Sequence, residues 1–128
     1  MQKPKGYRDL DIYKLAKKLA IEIHKITLSL PQFELYEEGS QIRRSSKSVV
    51  SNIVEGFARR KYKKDFLYYI TISIGECDET QVHLEILFET ESLKDKNLYD
   101  YLKSEYNILG KMLINFHKSV LKHHLSPK

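Results

Sequence analysis

The sequence predicts an all-α protein, a single up-down-up-down four-helix bundle. Apolar residues recur at spacings of three and four in four successive segments. No stretch alternates apolar and polar residues as a half-buried strand would. Only five Gly and three Pro interrupt 128 residues, and Pro4, Pro31 and Pro127 all fall where elements would begin or end. This length suits one domain, 1–128, that buries roughly two-thirds of its unfolded surface without disulfides or a metal. With 41% hydrophobic and 30% charged residues, the make-up is that of a globular domain rather than a disordered chain.

The first segment covers about 9–28. Ile12, Leu15, Ala16, Leu19, Ile23 and Ile26 form one apolar face, with Lys14, Lys17, Lys18, Glu22 and Lys25 mostly opposite. Asp9 or Asp11 would cap its start, and Pro31 would stop it. The second segment, about 37–58, places Ile42, Val49, Ile53 and Phe57 on one line. Beside it run Gln41, Arg44, Ser45, Ser48, Asn52 and Glu55, all small or polar. Such a stripe could line a recognition or catalytic groove; the favoured reading is structural, with small side chains letting helices approach closely while Asn52 and Glu55 satisfy backbone groups or pair with Arg44.

The third segment, about 63–91, carries Phe66, Ile70, Ser73, Cys77, Thr80, Leu84 and Leu87 on one stripe, widened by Leu67, Ile74 and Phe88. A helix of about 26 residues would span roughly 39 Å. The fourth, about 98–122, turns Leu102, Tyr106, Leu109, Met112, Leu113, Phe116 and Val120 inward. Short connections make neighbouring helices antiparallel.

The formal charge is +5, and its distribution matters more than its sum. From Ser40 to Lys64 stand eight Lys/Arg and one Glu, a net +7; from Glu76 to Glu105 stand nine Asp/Glu and three Lys, a net −6. Arg43 and Lys47 share a helix face with Arg44 beside them. Arg59, Arg60, Lys61, Lys63 and Lys64 cluster after the second segment, with Tyr62 among them to stack on a base. Several cations within reach of successive phosphates, plus an aromatic, is what a nucleic acid, RNA or DNA, requires. In the competing structural account, Arg59 to Lys61 complement the negative end of the second helix and Tyr62 packs inward. No base-reading motif is present, so binding would depend on shape and salt. The acidic face of Glu76, Asp78, Glu79, Glu85, Glu89 and Glu91 would be solvated, or would meet the basic face of a neighbouring protomer.

Enzymatic signals are missing: no phosphate-binding Gly loop, no Gly-x-Ser-x-Gly, no nucleophile at telling distance from a His. Di-iron bundles need Glu-x-x-His on two helices, and that spacing does not occur. Glu79 and His83 are four apart without further ligands. His117, His123 and His124 would hold metal only adventitiously. Cys77, on the apolar stripe, is expected to be a buried inert thiol, and a lone cysteine fits a reducing compartment. No cofactor is expected. Met1 to Arg8 precede no apolar run, and no stretch is apolar enough to span a membrane, so a cytoplasmic protein is expected.

One local pattern goes further. Leu30-Pro31-Gln32-Phe33-Glu34-Leu35-Tyr36 is followed by Gln41-Ile42-Arg43-Arg44 and by Asn52-Ile53-Val54-Glu55-Gly56. The chain resembles the four-helix-bundle family named after proteins encoded in intervening sequences of bacterial 23S ribosomal RNA genes. That family typically shows a Leu-Pro-x-x-Glu-x-Tyr turn, a Gln-Ile-Arg-Arg helix start and an Asn-Ile-x-Glu-Gly helix end. Tyr7-Arg8-Asp9-Leu10 with Tyr13 is similar to its opening, Phe66-Leu67 to its third-helix start, and Gly75 with Glu79 to its mid-helix pattern. Glu76-Cys77 stand where the family often has Ser-Leu, and Phe57-Ala58-Arg59-Arg60-Lys61 where it is often Gly-rich. The resemblance implies a closed homo-oligomer, a pentameric ring of four-helix protomers. The chain is also similar to the accessory subunit of diversity-generating retroelements, a basic pentamer that engages nucleic acid and a protein partner, a reverse transcriptase.

Overall fold

The computed structural model describes residues 3–124, so Met1 and Pro127 lie outside the described residues. Four helices follow one another: α1 (Asp11–Thr27), α2 (Glu38–Ala58), α3 (Lys63–Glu89) and α4 (Lys96–His123). Short 3-10 turns at Tyr7–Asp9 and Gln32–Leu35 precede α1 and α2. No strand occurs among the described residues.

The order around the bundle is α1, α2, α3, α4 and back to α1. Cross-contacts give the directions. Ser45 meets Thr80 and Phe57 meets Phe66, so α2 and α3 run antiparallel. Phe88 stacks on Tyr99 while Phe66 meets Phe116, so α3 and α4 do likewise. Lys47 reaches His24, and Tyr101 donates to Glu22, closing α1 against both neighbours.

The core is the set of residues that the three-and-four spacing turns inward. Ile12, Leu19, Ile23, Ile42, Val49, Ile53, Ile70, Leu84, Leu102, Leu109 and Leu113 are essentially inaccessible. Each contributes about 1.5–3 kcal/mol of burial. The inward stripe of α3 is buried from Phe66 to Leu87. Where α2 meets α3, small polar residues replace large apolar ones. The hydroxyls of Ser45 and Thr80 lie 2.8 Å apart, and Ser73 Oγ donates to the Val49 carbonyl at 2.7 Å. These bonds close the buried polar groups without a wide gap between the backbones.

Helix ends show where local signals lost to others. Neither Asp9 nor Asp11 caps α1; Leu10 is its N-cap, without a side-chain bond. The Asp9 carboxylate instead accepts from the backbone of Lys5 at 2.8 Å, tying the 3-10 turn before the helix. Helix α1 stops at Thr27, four residues before Pro31, where Ser29 N–H turns back to the Ile26 carbonyl. Pro31 starts the next 3-10 turn. Helix α3 ends at Glu89, since Glu91 adopts φ 66°, which a helix cannot hold. Helix α4 starts at Lys96 because the Asp95 carboxylate accepts from Leu98 N–H at 3.1 Å.

Candidate nucleic-acid interface

Antiparallel packing brings the start of α1, the α2–α3 turn and the end of α4 to one end of the bundle. His124 Nε2 donates to the Arg60 carbonyl at 2.6 Å, and its ring packs on Phe66, pinning the end of α4 to that turn. Residues 3–12, 55–65 and 115–124, which form this end, hold ten Lys/Arg and four Asp/Glu. The opposite end, residues 25–43 and 85–100, holds four Lys/Arg and eight Asp/Glu. The charge separation along the sequence is thus a separation along the bundle axis.

Within the basic end the cations have different duties. Arg59 Nε donates to Glu55 Oε2 at 3.2 Å, and its guanidinium lies 5.3 Å from the Tyr69 ring centre. Arg60 Nη1 donates to the Phe57 carbonyl at 2.9 Å, satisfying one of the last acceptors of α2, and its guanidinium covers the Phe57 ring. Lys61, Lys63 and Lys64 have no carboxylate partner among the described residues. Lys63 and Lys64 open α3, where the helix dipole is positive and a lysine is unfavourable. Tyr62 is 55% exposed and does not pack inward. Tyr68, one turn into α3 and 61% exposed, is a second free aromatic on this end. Its ring edge meets Tyr69 at 5.1 Å. Sequence spacing counted Tyr68 on no face; its position four residues after Lys64 was the available signal.

Arg43, Arg44 and Lys47 do not join this cluster. They lie toward the other end of α2 and point to three different elements. Arg43 Nη2 donates to the Leu35 carbonyl at 2.8 Å, bracing the turn before α2. Lys47 Nζ donates to His24 Nδ1 on α1 at 3.0 Å. Arg44 crosses to α3, 3.0 Å from Glu79 Oε1 and 3.5 Å from Glu76 Oε2. Glu55 therefore pairs with Arg59 and not with Arg44, and Asn52 donates to the Ser48 carbonyl one turn back.

Glu76, Glu79 and Glu85 of the acidic face thus meet basic side chains of their own protomer, while Asp78, Glu89 and Glu91 have no ion-pair partner among the described residues. Glu79 and His83 also have a partner that spacing did not reveal: His83 Nδ1 lies 2.6 Å from Glu38 Oε2, and its Nε2 lies 3.3 Å from Glu79 Oε1. Hydrogen bonding to Glu76, then to His83, together with the Arg44 charge, holds the Glu79 carboxyl below its ordinary range. Lys103 pairs with Glu85 across α3 and α4. Among the described residues, no three His, Cys, Asp or Glu side chains converge as metal ligands would. Cys77 is fully buried; burial pushes its thiol up to about 12, and Sγ–H points at the Tyr106 carbonyl. No helix among the described residues is long and apolar enough to cross a membrane.

The Glu34 motif also has a position. Glu34 is 2% exposed; Oε1 accepts from Gly39 N–H at 3.0 Å, and Oε2 accepts from Ser92 Oγ at 2.6 Å. One carboxylate thus caps α2 and holds the α3–α4 loop, at the end opposite the lysines.

Comparison with known proteins agrees with this architecture. No curated protein sequence matches the chain. A crystal structure of a protein with unknown function from the S23 ribosomal protein family, from Bacteroides thetaiotaomicron VPI-5482, is similar at 25% identity and a TM-score of 0.71. The match covers 84% of this chain and 95% of that one. Residues 8–115 match the family described as 23S rRNA-intervening sequence protein. On a match that runs from the 3-10 turn before α1 into the last turns of α4, the chain belongs to the 23S rRNA-intervening sequence protein family.

Proposed function

We propose that this protein is a non-enzymatic, homo-oligomeric accessory protein of the cell interior that binds nucleic acid, RNA in preference to DNA, through the basic end of its bundle. The observation that carries this is the placement of Lys63 and Lys64. They stand without carboxylate partners among the described residues, at a helix start that would be more stable with acids. A phosphate there would meet both lysines and the free N–H groups of the first turn of α3. Lys61 extends the array, and Tyr62 and Tyr68 offer exposed rings for bases splayed out of a single strand. The preference for RNA rests on membership of the family and on those two rings. The ring of five protomers rests on resemblance, and would multiply each weak contact.

Binding of a structured RNA with single-stranded loops, and of duplex DNA of equal length, across a salt series tests this. Neutralising four to six phosphates would give a slope of log K against log salt of roughly −3 to −5. A Lys61→Glu/Lys63→Glu/Lys64→Glu variant should lose most of the affinity and flatten the slope. Absence of salt-dependent binding by the wild-type chain would sink the proposal. One observation favours a second account, a protein–protein scaffold: Tyr68, Val82 and Ile86 are exposed large hydrophobic side chains on the outward side of α3.

A further inference from the structure

The turn before α2 presents two aromatic rings to water. In and just after the 3-10 turn Gln32–Leu35, Phe33 is 58% exposed and Tyr36 is 85% exposed. Tyr36 N–H donates to the Phe33 carbonyl at 3.1 Å, and side chains three apart in such a turn share one side. The residues between them turn the other way: Glu34 is buried and Leu35 half-buried. In the pattern Leu30-Pro31-Gln32-Phe33-Glu34-Leu35-Tyr36, Leu30 packs on the core and Pro31 opens the turn. Glu34 ties that turn to α2 and to the α3–α4 loop. Nothing in the protomer gives Phe33 or Tyr36 a duty of that kind. The other exposed rings among the described residues have partners: Tyr62 lies under Lys61, Tyr68 meets Tyr69, and Tyr101 donates to Glu22. Phe33 and Tyr36 have neither a cation nor a second ring against them.

The turn is braced from within, and its surroundings are acidic. Arg43 donates through Nη2 to the Leu35 carbonyl, and its Nη1 is shut off from solvent, so it does not cover the rings. Glu37 follows Tyr36 as the N-cap of α2, yet its carboxylate makes no capping bond; Glu34 takes that role through Gly39 N–H. Ser92, which donates to Glu34, brings its neighbour Glu91 beside the same turn. Glu91 holds φ 66°, a conformation glycine would adopt at less cost, so the fold alone does not call for a carboxylate there. Glu37 and Glu91 are exposed and have no ion-pair partner among the described residues. Across residues 33–38 and 89–95 stand six Asp/Glu against one Lys. Such a surface repels phosphate, whereas a cation gains from ring faces and carboxylates together.

We infer that Phe33 and Tyr36, with Glu37 and Glu91 beside them, dock an arginine-bearing basic segment of another protein. A guanidinium suits this surface better than an ammonium, since its plane lies on a ring while its N–H fork meets a carboxylate. A second copy of this chain does not supply it, because all five arginines have contacts inside the protomer. Arg8 lies over the Tyr7 ring, Arg43 holds the Leu35 carbonyl and Arg44 holds Glu79. Arg59 holds Glu55, and Arg60 the Phe57 carbonyl. A turn already braced loses little freedom on binding. The rings stand at the end opposite Lys61, Lys63 and Lys64, so a protein docked here leaves the basic end free for nucleic acid.

The test is the fluorescence anisotropy of a labelled peptide of alternating Arg and Gly, titrated with the purified chain. Lys-Gly and Glu-Gly peptides of equal length run beside it. The Arg peptide should bind, the Lys peptide several-fold more weakly, and the Glu peptide not at all. Phe33→Ala/Tyr36→Ala should weaken the Arg peptide roughly tenfold, with circular dichroism unchanged because both rings are exposed. Tyr36→Ser alone keeps the test decisive if the pair harms folding: it should fold normally and still weaken the Arg peptide several-fold. Glu37→Gln/Glu91→Gln should weaken binding too and flatten its salt dependence. At physiological ionic strength Lys61→Glu/Lys63→Glu/Lys64→Glu should leave peptide affinity unchanged, and Phe33→Ala/Tyr36→Ala should leave RNA affinity unchanged. Failure here is thereby told apart from failure of the nucleic-acid reading. No binding of the Arg peptide by the wild type, or equal binding by wild type and Phe33→Ala/Tyr36→Ala, overturns the inference. So does a lower mass of that variant by light scattering, since the rings would then belong to a contact between copies.

Discussion

At Glu34 a carboxylate sits in the interior because two donors are brought to it, one from the start of α2 and one from the α3–α4 loop. Its neighbour Gly39 is fixed by space rather than by backbone angle. A Cβ there would lie 2.3 Å from the Glu34 carbonyl oxygen, closer than any atom pair tolerates. Glu34→Ala strips an orphan helix N–H and a hydroxyl of their acceptor and should cost about 2–3 kcal/mol. Gly39→Ala forces the 3-10 turn away and should cost about 2–3 kcal/mol as overpacking. Glu34→Gln, which keeps an acceptor, should lose less than half as much. Urea unfolding midpoints of the three variants check the order.

Between elements, the α2–α3 pair is joined in two layers. Inside are the hydroxyls of Ser45, Ser73 and Thr80; outside are Arg44 with Glu76 and Glu79, and His83 between Glu38 and Glu79. Gly56 belongs to the same interface, since a Cβ on it would come within 3.2 Å of Tyr69. The outer layer should respond to acid. Glu79 has its folded-state pKa lowered from an ordinary value of 4.5, so the folded state binds its proton less readily than the unfolded chain. Its stabilisation is therefore complete above about 4.5 and is lost as pH falls through the lower, folded value. Unfolding midpoints measured from pH 7 down to pH 3 should drop over that window, and Glu79→Gln should make the drop shallower. An unchanged profile in Glu79→Gln would remove this carboxylate from the account.

The whole molecule is polar along its axis, basic where α3 begins and acidic where it ends. Such an arrangement sets protomer stability against binding. Lys63 and Lys64 oppose the dipole of the helix they open, each by about 0.3–1 kcal/mol. Lys63→Glu/Lys64→Glu should therefore raise the unfolding midpoint while lowering affinity for RNA. A variant that loses affinity and stability together would mean these lysines serve the fold instead. Since Arg59 and Arg60 already hold Glu55, Phe57 and Tyr69, substituting them mixes both effects and is the poorer probe.

The sequence by itself determined that four helices form and which side of each turns inward. The apolar spacing from Ile12 to Val120 encodes both, because burying a periodic face is a property of the helix alone. It also marked Cys77 as a core thiol, and it held the turn chemistry around Glu34 as a pattern without its reason. What the tertiary structure decided was which charges remain available. Arg43, Arg44 and Lys47 are as basic in the sequence as Lys61, Lys63 and Lys64. Whether a side chain finds an acceptor, however, depends on what another helix brings within about 3 Å of it. Leu35, Glu79 and His24 do so for the first three, while for the second three no carboxylate among the described residues does. Net charge is additive along a chain, but pairing is a matter of distance between elements, and only packing sets that distance.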